Sequence, residues 1–236
     1  MCILRRFSIG LIVRTGARVA QQPSEHLNLA RHLWTCNQDL ATGCLQHPFV
    51  CRLADGSLPA AAFRAYVAQD AYFIEAFARA YAFALARCPD RYGFEAFQKL
   101  IAGVVDELEL HATYARRLGI DLGRVEPARA TLAYTDFLLA TAGLGTVGEI
   151  CAAMTPCMRL YAFLGQTLAA QGAAQPANAY REWVETYAAA GFESLAARLE
   201  RLLDRYAQDG PTVRSCYRRA MQLELDFFSF PLLGQQ

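Results

Sequence analysis

Apolar residues return at steps of three and four positions along most of the chain, and this helical period is the strongest constraint on its fold. No stretch alternates between apolar and polar residues for long, and β-branched residues are sparse, so strands are not expected. With 236 residues, 54% of them hydrophobic, the chain is long enough to form one large domain with a deep core. We therefore predict an all-α, single-domain helical bundle of about seven to nine helices over residues 23–236.

Proline and glycine mark most of the predicted helix ends. The segment from His47 to Gly56 is predicted to be a break followed by a turn, because it contains a proline near its start and Asp-Gly at its end. The predicted helices run from Ser24 to about Cys44, from Pro59 to Arg87, from about Phe94 to Leu118, from Pro127 to Gly143, through Cys157 to about Ala170, from Pro176 to Tyr187, from Gly191 to Tyr206, and from Thr212 to Phe230.

Charge and cysteine content exclude several classes of protein. The 23 basic and 22 acidic residues give a net charge of +1 without a basic cluster, so binding to nucleic acid or to a membrane surface is not expected. The eight cysteines are spread out and form no C-x-x-C pair. This spacing favours reduced thiols in the cytoplasm over disulfides or a zinc site.

Residues 1–22 differ in composition from the rest of the chain. They hold four arginines and no acidic residue, around a short apolar run from Phe7 to Val13. This composition is typical of a transit or signal segment, but the apolar run is too short to span a bilayer. A mis-assigned start codon or a disordered extension explains it at least as well, and we exclude these residues from the predicted fold.

Cys157 is the first candidate for a catalytic residue. It lies on the apolar face of a predicted helix directly after Pro156, which removes one amide donor and is expected to kink or restart the helix. If the helix restarts, Thr155 is its N-cap, and Cys157 lies in a first turn where the helix dipole favours a thiolate. The alternative is a buried thiol that packs as a small hydrophobic group.

Two carboxylates interrupt apolar helix faces. Asp70 lies among aromatic residues of the second predicted helix, and Glu224 lies on the apolar face of the last one. Because burial of an unpaired carboxylate is costly, both residues are candidates for ligand contact with shifted pKa values. Taken alone, each is better explained by a place at the edge of the face or by pairing with Arg or Tyr. Together with Cys157, they predict a pocket between helices.

Glu107 and His111 are four residues apart and share a helix face, as the ligands of a helical di-iron site do. Such a site needs a second Glu and His set from another helix, and the sequence has no other E-x-x-H or E-x-x-x-H. We therefore predict an ion pair or hydrogen bond within the helix and no metal site.

Short motifs follow one another in an order that is more specific than any one of them. They are Leu33-Trp34, His47-Pro48-Phe49-Val50, Asp55-Gly56-Ser57-Leu58-Pro59, Phe63-Arg64-Ala65-Tyr66-Val67-Ala68-Gln69-Asp70-Ala71-Tyr72, Glu107-Leu108-Glu109-Leu110-His111, Ala133-Tyr134-Thr135-Asp136-Phe137-Leu138, Pro156-Cys157, Trp183-Val184-Glu185-Thr186-Tyr187 and Glu224-Leu225-Asp226-Phe227-Phe228. Over residues 27–230 this series resembles the TenA family, the thiaminase II type of aminopyrimidine hydrolase.

The resemblance implies a heme-oxygenase-like helical fold, without bound heme or another cofactor, that usually forms a homotetramer. It also implies hydrolysis of a 2-methyl-4-aminopyrimidine that carries a leaving group on its 5-methylene carbon. The substrate is then thiamin or the aminomethyl pyrimidine from degraded thiamin. The product, hydroxymethyl pyrimidine, returns to thiamin synthesis.

The resemblance also implies a role for each matching residue. The Cys157 thiolate adds to the ring carbon next to the substituted one, and Glu224 binds or protonates a ring nitrogen. Asp70 accepts hydrogen bonds from the 4-amino group. The other implied substrate contacts are Tyr134 and Tyr187 near the Cys157 sulfur and the attacking water, Tyr161 as a supporting hydrogen bond, and Phe73 and Phe227 on the two faces of the ring.

Two departures from the family pattern concern substrate preference. Residues 188–192 follow Tyr187 where family members often carry a Gly-Gly or polar stretch, and Met158-Arg159 replaces an aromatic pair. Arg159 is predicted to point away from the Cys157 face of its helix. Two alternatives to the hydrolase remain: a heme-oxygenase-like oxidase with a non-heme metal, and a non-catalytic pyrimidine-binding or regulatory protein.

Overall fold

The computed structural model describes residues 28–233, except for the side chain of Leu110. The extension at residues 1–22 and the predicted N-cap Ser24 lie outside the described residues. Within these bounds the chain forms helices and turns without a strand, which confirms the all-α prediction. The α-helices are α1 (Leu29–Cys36), α2 (Gln38–Leu45), α3 (Pro48–Asp55), α4 (Ala60–Arg87), α5 (Arg91–Arg117), α6 (Arg129–Leu144), α7 (Val147–Ala170), α8 (Arg181–Ala188), α9 (Ala190–Tyr206) and α10 (Pro211–Ser229).

Most helix ends that proline or glycine marks lie close to their predicted positions. Helix α4 starts directly after Pro59 and ends at Arg87, one residue before Cys88-Pro89. Helix α5 ends before Gly119, whose φ of 64° is a left-handed conformation that favours glycine. These ends depend on local backbone chemistry, so the sequence is sufficient to locate them.

The amino-terminal region differs from the prediction. The single predicted helix is two helices, separated at Asn37, whose side-chain amide donates to the carbonyl of Leu33 at 2.8 Å. The predicted break at His47 is a helix start instead. Pro48 occupies the first turn, and Nδ1 of His47 accepts from the amide of Phe49 at 3.2 Å. These two differences bring the described part of the chain to ten α-helices, more than the seven to nine expected.

The predicted helix start at Pro176 is also wrong, because α8 begins only at Arg181. The residues before it form a loop that Asn178 anchors to the end of α3. Its side-chain amide donates to the carbonyls of Leu53 at 3.1 Å and Ala54 at 3.0 Å. Contacts between segments distant in sequence decide this conformation, and no local signal predicts them.

Helix α7 is the centre of the bundle and packs against α4, α6, α8, α9 and α10. It continues through Pro156, and the hydroxyl of Thr155 donates to the carbonyl of Cys151 at 2.7 Å. Of the two outcomes expected at Pro156, a kink or a restart, the restart at Thr155 is therefore wrong. Packing on five neighbouring helices keeps this helix continuous despite the missing amide donor. Cys157 lies in the middle of the helix and not in a first turn.

Arg159 points from α7 toward α9, away from Cys157, as predicted. Its guanidinium donates to both oxygens of Glu193 at 2.8 and 2.9 Å and to both oxygens of Glu200 at 2.7 Å. Bidentate pairing of this kind holds a guanidinium in one orientation. Arg159, where the chain departs from the family pattern, therefore links α7 to α9 and does not line the site.

Gly165 lies where α7 meets the backbone of α8. A carbon built on its Cα would lie 2.6 Å from the amide nitrogen of Ala188 and 2.7 Å from Cβ of Tyr187, distances at which the atoms overlap. We expect Gly165→Ala to lower the free energy of unfolding by about 3 kcal/mol, because the two helices must move apart. Urea denaturation followed by circular dichroism measures the change.

Gly143→Ala is the matched control for this substitution. Gly143 lies in α6, and no atom lies within 4 Å of the added carbon. The variant is expected to keep its stability or gain about 0.5–1 kcal/mol, because alanine loses less backbone entropy in a helix. Equal effects of the two substitutions would contradict the close approach at Gly165.

Candidate active site

The structure brings all eight predicted site residues together in the interior of the bundle. They come from α4, α6, α7, α8 and α10, and all except the partly exposed Cys157 are buried. Ring centroids lie 4.7 Å apart for Phe73 and Tyr134, 5.8 Å for Phe73 and Phe227, and 4.8 Å for Tyr161 and Tyr187. Side chains far apart in sequence thus form one cluster.

Glu224 is the most deeply buried carboxylate of the cluster, with 1% of its surface exposed. Its Oε1 accepts a hydrogen bond from the Tyr134 hydroxyl at 2.7 Å, and the Cys157 thiol lies near the carboxylate. Burial raises the pKa of Glu224 to about 8, against the opposing effects of Tyr134 and of the Cys157 thiol. The group therefore exchanges a proton near neutral pH, as a general acid or base must.

The Cys157 thiol is held in its protonated form. Burial raises its pKa well above the ordinary value, and the negative charges of Glu224, Asp70 and Glu107 raise it further. The residue keeps part of its accessible surface, but protein atoms surround the sulfur closely enough to disfavour a thiolate. A thiolate stabilised by a helix dipole, one of the two predicted arrangements, is therefore wrong. A neighbouring base must take the proton if this thiol is to react.

Asp70 faces His111 across the gap between α4 and α5. The Nε2 atom of His111 lies 3.3 Å from Oδ2 of Asp70, but the angles are unsuitable, so this oxygen has no hydrogen-bond partner. Burial raises the pKa of Asp70 to about 7, while the nearby Tyr66 hydroxyl opposes the rise. Burial also lowers the pKa of His111, which favours the neutral imidazole. Asp70 thus has one buried oxygen free to accept from a ligand.

Glu107 does not pair with His111, contrary to the predicted contact within the helix. Its Oε1 accepts instead from the Tyr187 hydroxyl on α8 at 3.4 Å. Burial raises the pKa of Glu107 to about 7, and the charge of Asp70 adds to the rise. In the described part of the chain, no three His, Cys, Asp or Glu side chains are grouped so that they could hold a metal ion.

Phe73 and Phe227 are in direct contact, with their ring planes inclined by 53°. A flat ring stacked between two aromatic side chains needs roughly parallel planes about 7 Å apart. The two side chains would therefore have to rotate apart before they could hold a pyrimidine on both faces, and the predicted ring contacts stay a prediction.

Sequence reasoning missed Tyr66 and Trp183, which support the cluster. The Tyr66 hydroxyl donates to that of Tyr161 at 3.2 Å and accepts from Nε1 of Trp183 at 3.3 Å. Tyr66 precedes Asp70 by four residues, and Trp183 precedes Tyr187 by four, so each shares a helix face with a predicted site residue. That spacing is the signal that could have identified them.

A small cavity adjoins the cluster between α4, α5 and α8. Its volume is about 20 Å³, measured as the space open to the centre of a water molecule, which is room for about one water. Five aromatic side chains and two polar ones are among the residues that line it: Phe63, Tyr66, Tyr114, Trp183 and Tyr187, with Glu107 and His111. Two of the residues that line this cavity also belong to the site: Tyr187 is a member of the cluster, and Tyr66 supports it.

Helix length and polarity bear on membrane association. None of the helices in residues 28–233 is long and apolar enough to cross a membrane.

Known proteins show clear similarity to this chain. The family model described as TENA/THI-4/PQQC matches residues 35–230. The aminopyrimidine aminohydrolase of Halalkalibacterium halodurans is 33% identical over 186 residues, which cover 77% of this chain and 83% of that protein. The bifunctional TH2 protein, mitochondrial, of Arabidopsis thaliana is 32% identical over 238 residues, which cover 90% of this chain and 39% of that protein. The chain thus spans well under half the length of the plant relative.

Solved structures share the fold. The TenA homologue protein from P. horikoshii OT3 matches with a TM-score of 0.80 and 27% identity, over 87% of this chain and 99% of that chain. Heme oxygenase-1 from Synechocystis matches with a TM-score of 0.60 and 17% identity, over 89% of this chain and 94% of that chain, a likeness of fold alone. The predicted heme-oxygenase-like fold is confirmed. With its family model matched over most of the chain, this protein belongs to the TENA/THI-4/PQQC family.

Proposed function

We propose that this protein is a hydrolase that converts 4-amino-5-aminomethyl-2-methylpyrimidine to the hydroxymethyl pyrimidine in thiamin salvage, with Cys157 as nucleophile. The observation that carries the proposal is the proximity of the Cys157 thiol to the Glu224 carboxylate, which also accepts a 2.7 Å hydrogen bond from Tyr134. The name of the relative from Halalkalibacterium halodurans, aminopyrimidine aminohydrolase, supports the substrate class.

The adjacency of thiol and carboxylate suits the pyrimidine ring. The carbon to be attacked lies between the substituted ring carbon and a ring nitrogen, so the nucleophile and the acid for that nitrogen must be neighbours. Cys157 and Glu224 are such a pair. The carboxylate first takes the thiol proton and then gives it to the ring nitrogen, which makes the ring electrophilic. The transfer of one proton thus activates both the thiol, which loses it, and the ring, whose nitrogen gains it.

The bonds then change in a balanced order. The sulfur bonds to the ring carbon, and the exocyclic C–N bond breaks with its electron pair on the amine nitrogen. The amine reacts as its ammonium form and therefore leaves as ammonia. Water adds its oxygen to the exposed methylene and releases a proton. The C–S bond then breaks to restore the aromatic ring, and the ring nitrogen returns its proton through Glu224 to the sulfur, which restores the thiol. The sum is one water consumed, one ammonia released and one hydroxymethyl group formed.

Asp70 is proposed to orient the ring. Its buried Oδ2 has no hydrogen-bond partner in the free protein, and a 4-amino group supplies a donor for that oxygen. Tyr134 holds Glu224 in place through the 2.7 Å hydrogen bond. Phe73 and Phe227 separate on binding and contact the two faces of the ring.

The test is direct measurement of products by chromatography. Wild-type protein is expected to release hydroxymethyl pyrimidine from the aminomethyl pyrimidine, and comparison with thiamin as substrate ranks the two leaving groups. Tight binding of hydroxymethyl pyrimidine without turnover of any of these substrates would replace the hydrolase by a binding or regulatory protein.

We also propose a homotetramer in the cytoplasm. Large apolar side chains are exposed along α4, α5 and α6, including Phe83, Phe94 and Leu132, and a surface of this kind favours association. The seven cysteines among the described residues are free thiols, as expected in a reducing compartment. Light scattering that gives the mass of a single chain would contradict the tetramer.

A further inference from the structure

The cavity between α4, α5 and α8 is lined by aromatic side chains and a carboxylate that have no role in the proposed reaction. Aromatic side chains form most of its wall, and Glu107 is its one carboxylate. Aromatic faces attract cations through their ring quadrupoles, and a carboxylate adds a direct charge interaction. A cavity of this kind suits a small organic cation.

The same cavity borders the proposed pyrimidine site. Tyr187 lines the cavity, donates to Glu107 at 3.4 Å and packs against Tyr161 with ring centroids 4.8 Å apart. Tyr66 also lines it and contacts Phe227, with centroids 5.9 Å apart. A substituent on a ring bound between Cys157 and Asp70 is therefore within reach of this cavity.

An unpartnered polar atom belongs to the cavity wall. Nδ1 of His111 has no hydrogen-bond partner, and the residue is more than nine-tenths buried. If the imidazole proton is on Nε2, which faces Asp70, then Nδ1 is an acceptor. Buried polar groups without partners are costly, so a ligand with several N–H donors would relieve that cost.

We propose that this cavity is the subsite for the leaving group, and that Glu107 recognises it as a small primary ammonium. The proposal rests on the proposed function and adds the place and the residue that bind the leaving group. The volume of about 20 Å³ is room for one water-sized group, and an ammonium has about that size. Glu107 acts here as a binding residue, separate from the Cys157 and Glu224 pair. Burial raises the pKa of Glu107 to about 7, and a neighbouring cation favours its charged form.

The test compares two substrates that differ in the charge of the leaving group: the aminomethyl pyrimidine, which is cationic, and its N-formyl derivative, which is neutral. Glu107→Gln keeps the shape of the side chain and removes its charge. We expect it to lower kcat/KM for the cationic substrate by about 10- to 100-fold, the range for a charged hydrogen bond, and to change the neutral one by less than about threefold. Glu109→Gln, an exposed carboxylate on the same helix, is the control and should change neither.

Equal loss on both substrates would overturn the proposal and indicate a structural role, and so would no loss on either. If the wild-type protein hydrolyses neither substrate, the proposed function fails. Measurements of ligand binding then test the subsite independently. Calorimetry on the Cys157→Ser protein then compares the aminomethyl and hydroxymethyl pyrimidines with and without Glu107→Gln. Selective loss of affinity for the cationic ligand supports the subsite. Equal affinity changes, or no binding of either ligand, overturn it.

Discussion

Cys157→Ser is expected to lower kcat for hydrolysis of the aminomethyl pyrimidine by about 1,000-fold or more, as losses of catalytic nucleophiles commonly do. The reason is the acidity of the nucleophile. Glu224, with a pKa of about 8, can take a proton from a neighbouring thiol, but a serine hydroxyl is far too weak an acid for that transfer. Initial rates of product release measure the effect, and retained affinity for hydroxymethyl pyrimidine shows that the site is intact.

Cys151→Ser is the matched control. Cys151 lies six positions earlier on α7, is fully buried, and has a thiol pKa that burial raises. It is not among the side chains that contact Glu224. We expect near-normal kcat and at most a loss of about 1–2 kcal/mol in stability. Loss of turnover in Cys151→Ser with retention in Cys157→Ser would assign the chemistry to the other thiol.

Glu224→Gln is expected to lower kcat/KM by about 100- to 10,000-fold, the contribution of a positioned acid or base. The amide can neither take the Cys157 proton nor protonate the ring nitrogen. Asp226→Asn, two positions further on α10 and exposed to solvent, is the control and should keep normal activity. Activity of Glu224→Gln within threefold of wild type would remove this residue from the mechanism.

The pH dependence of kcat/KM separates a chemical role of Glu224 from a structural one. The active free enzyme needs the carboxylate charged and the thiol protonated. Because the pKa of Glu224 is raised to about 8, the charged fraction grows tenfold per pH unit below that value and then levels off. We expect kcat/KM to rise with pH up to about 8 and this rise to disappear in Glu224→Gln. An unchanged profile in the variant would assign the titration to another group.

Comparison of α4 with α7 shows where sequence-based expectations hold and where they fail. The ends of α4 follow from Pro59 and Cys88-Pro89, because a proline restricts the backbone wherever it lies. Pro156 has the same chemistry, but α7 runs through it, since burial against five helices stabilises the continuous form. A proline thus determines where a helix ends when that end is exposed, but packing against neighbouring helices can override it in the core.

The residues of the candidate site show the same division. Asp70 and Glu224 are recognisable from sequence because a carboxylate on an apolar helix face is unusual, and both are buried as that pattern suggests. Their partners are not recognisable in this way. His111 faces Asp70 on another helix rather than Glu107 on its own, and Glu107 bonds instead to Tyr187.

The sequence alone determined the helical class, most helix ends, the family and the buried acids, because periodicity, turn chemistry and ordered motifs are properties of neighbouring residues. Only the tertiary structure decided that the Cys157 thiol is protonated and lies near Glu224, and that an aromatic cavity lined by Tyr66 and Tyr187 borders the cluster. A pKa and a cavity depend on which helices pack together. Both arise from the burial and charges of residues far apart in the chain.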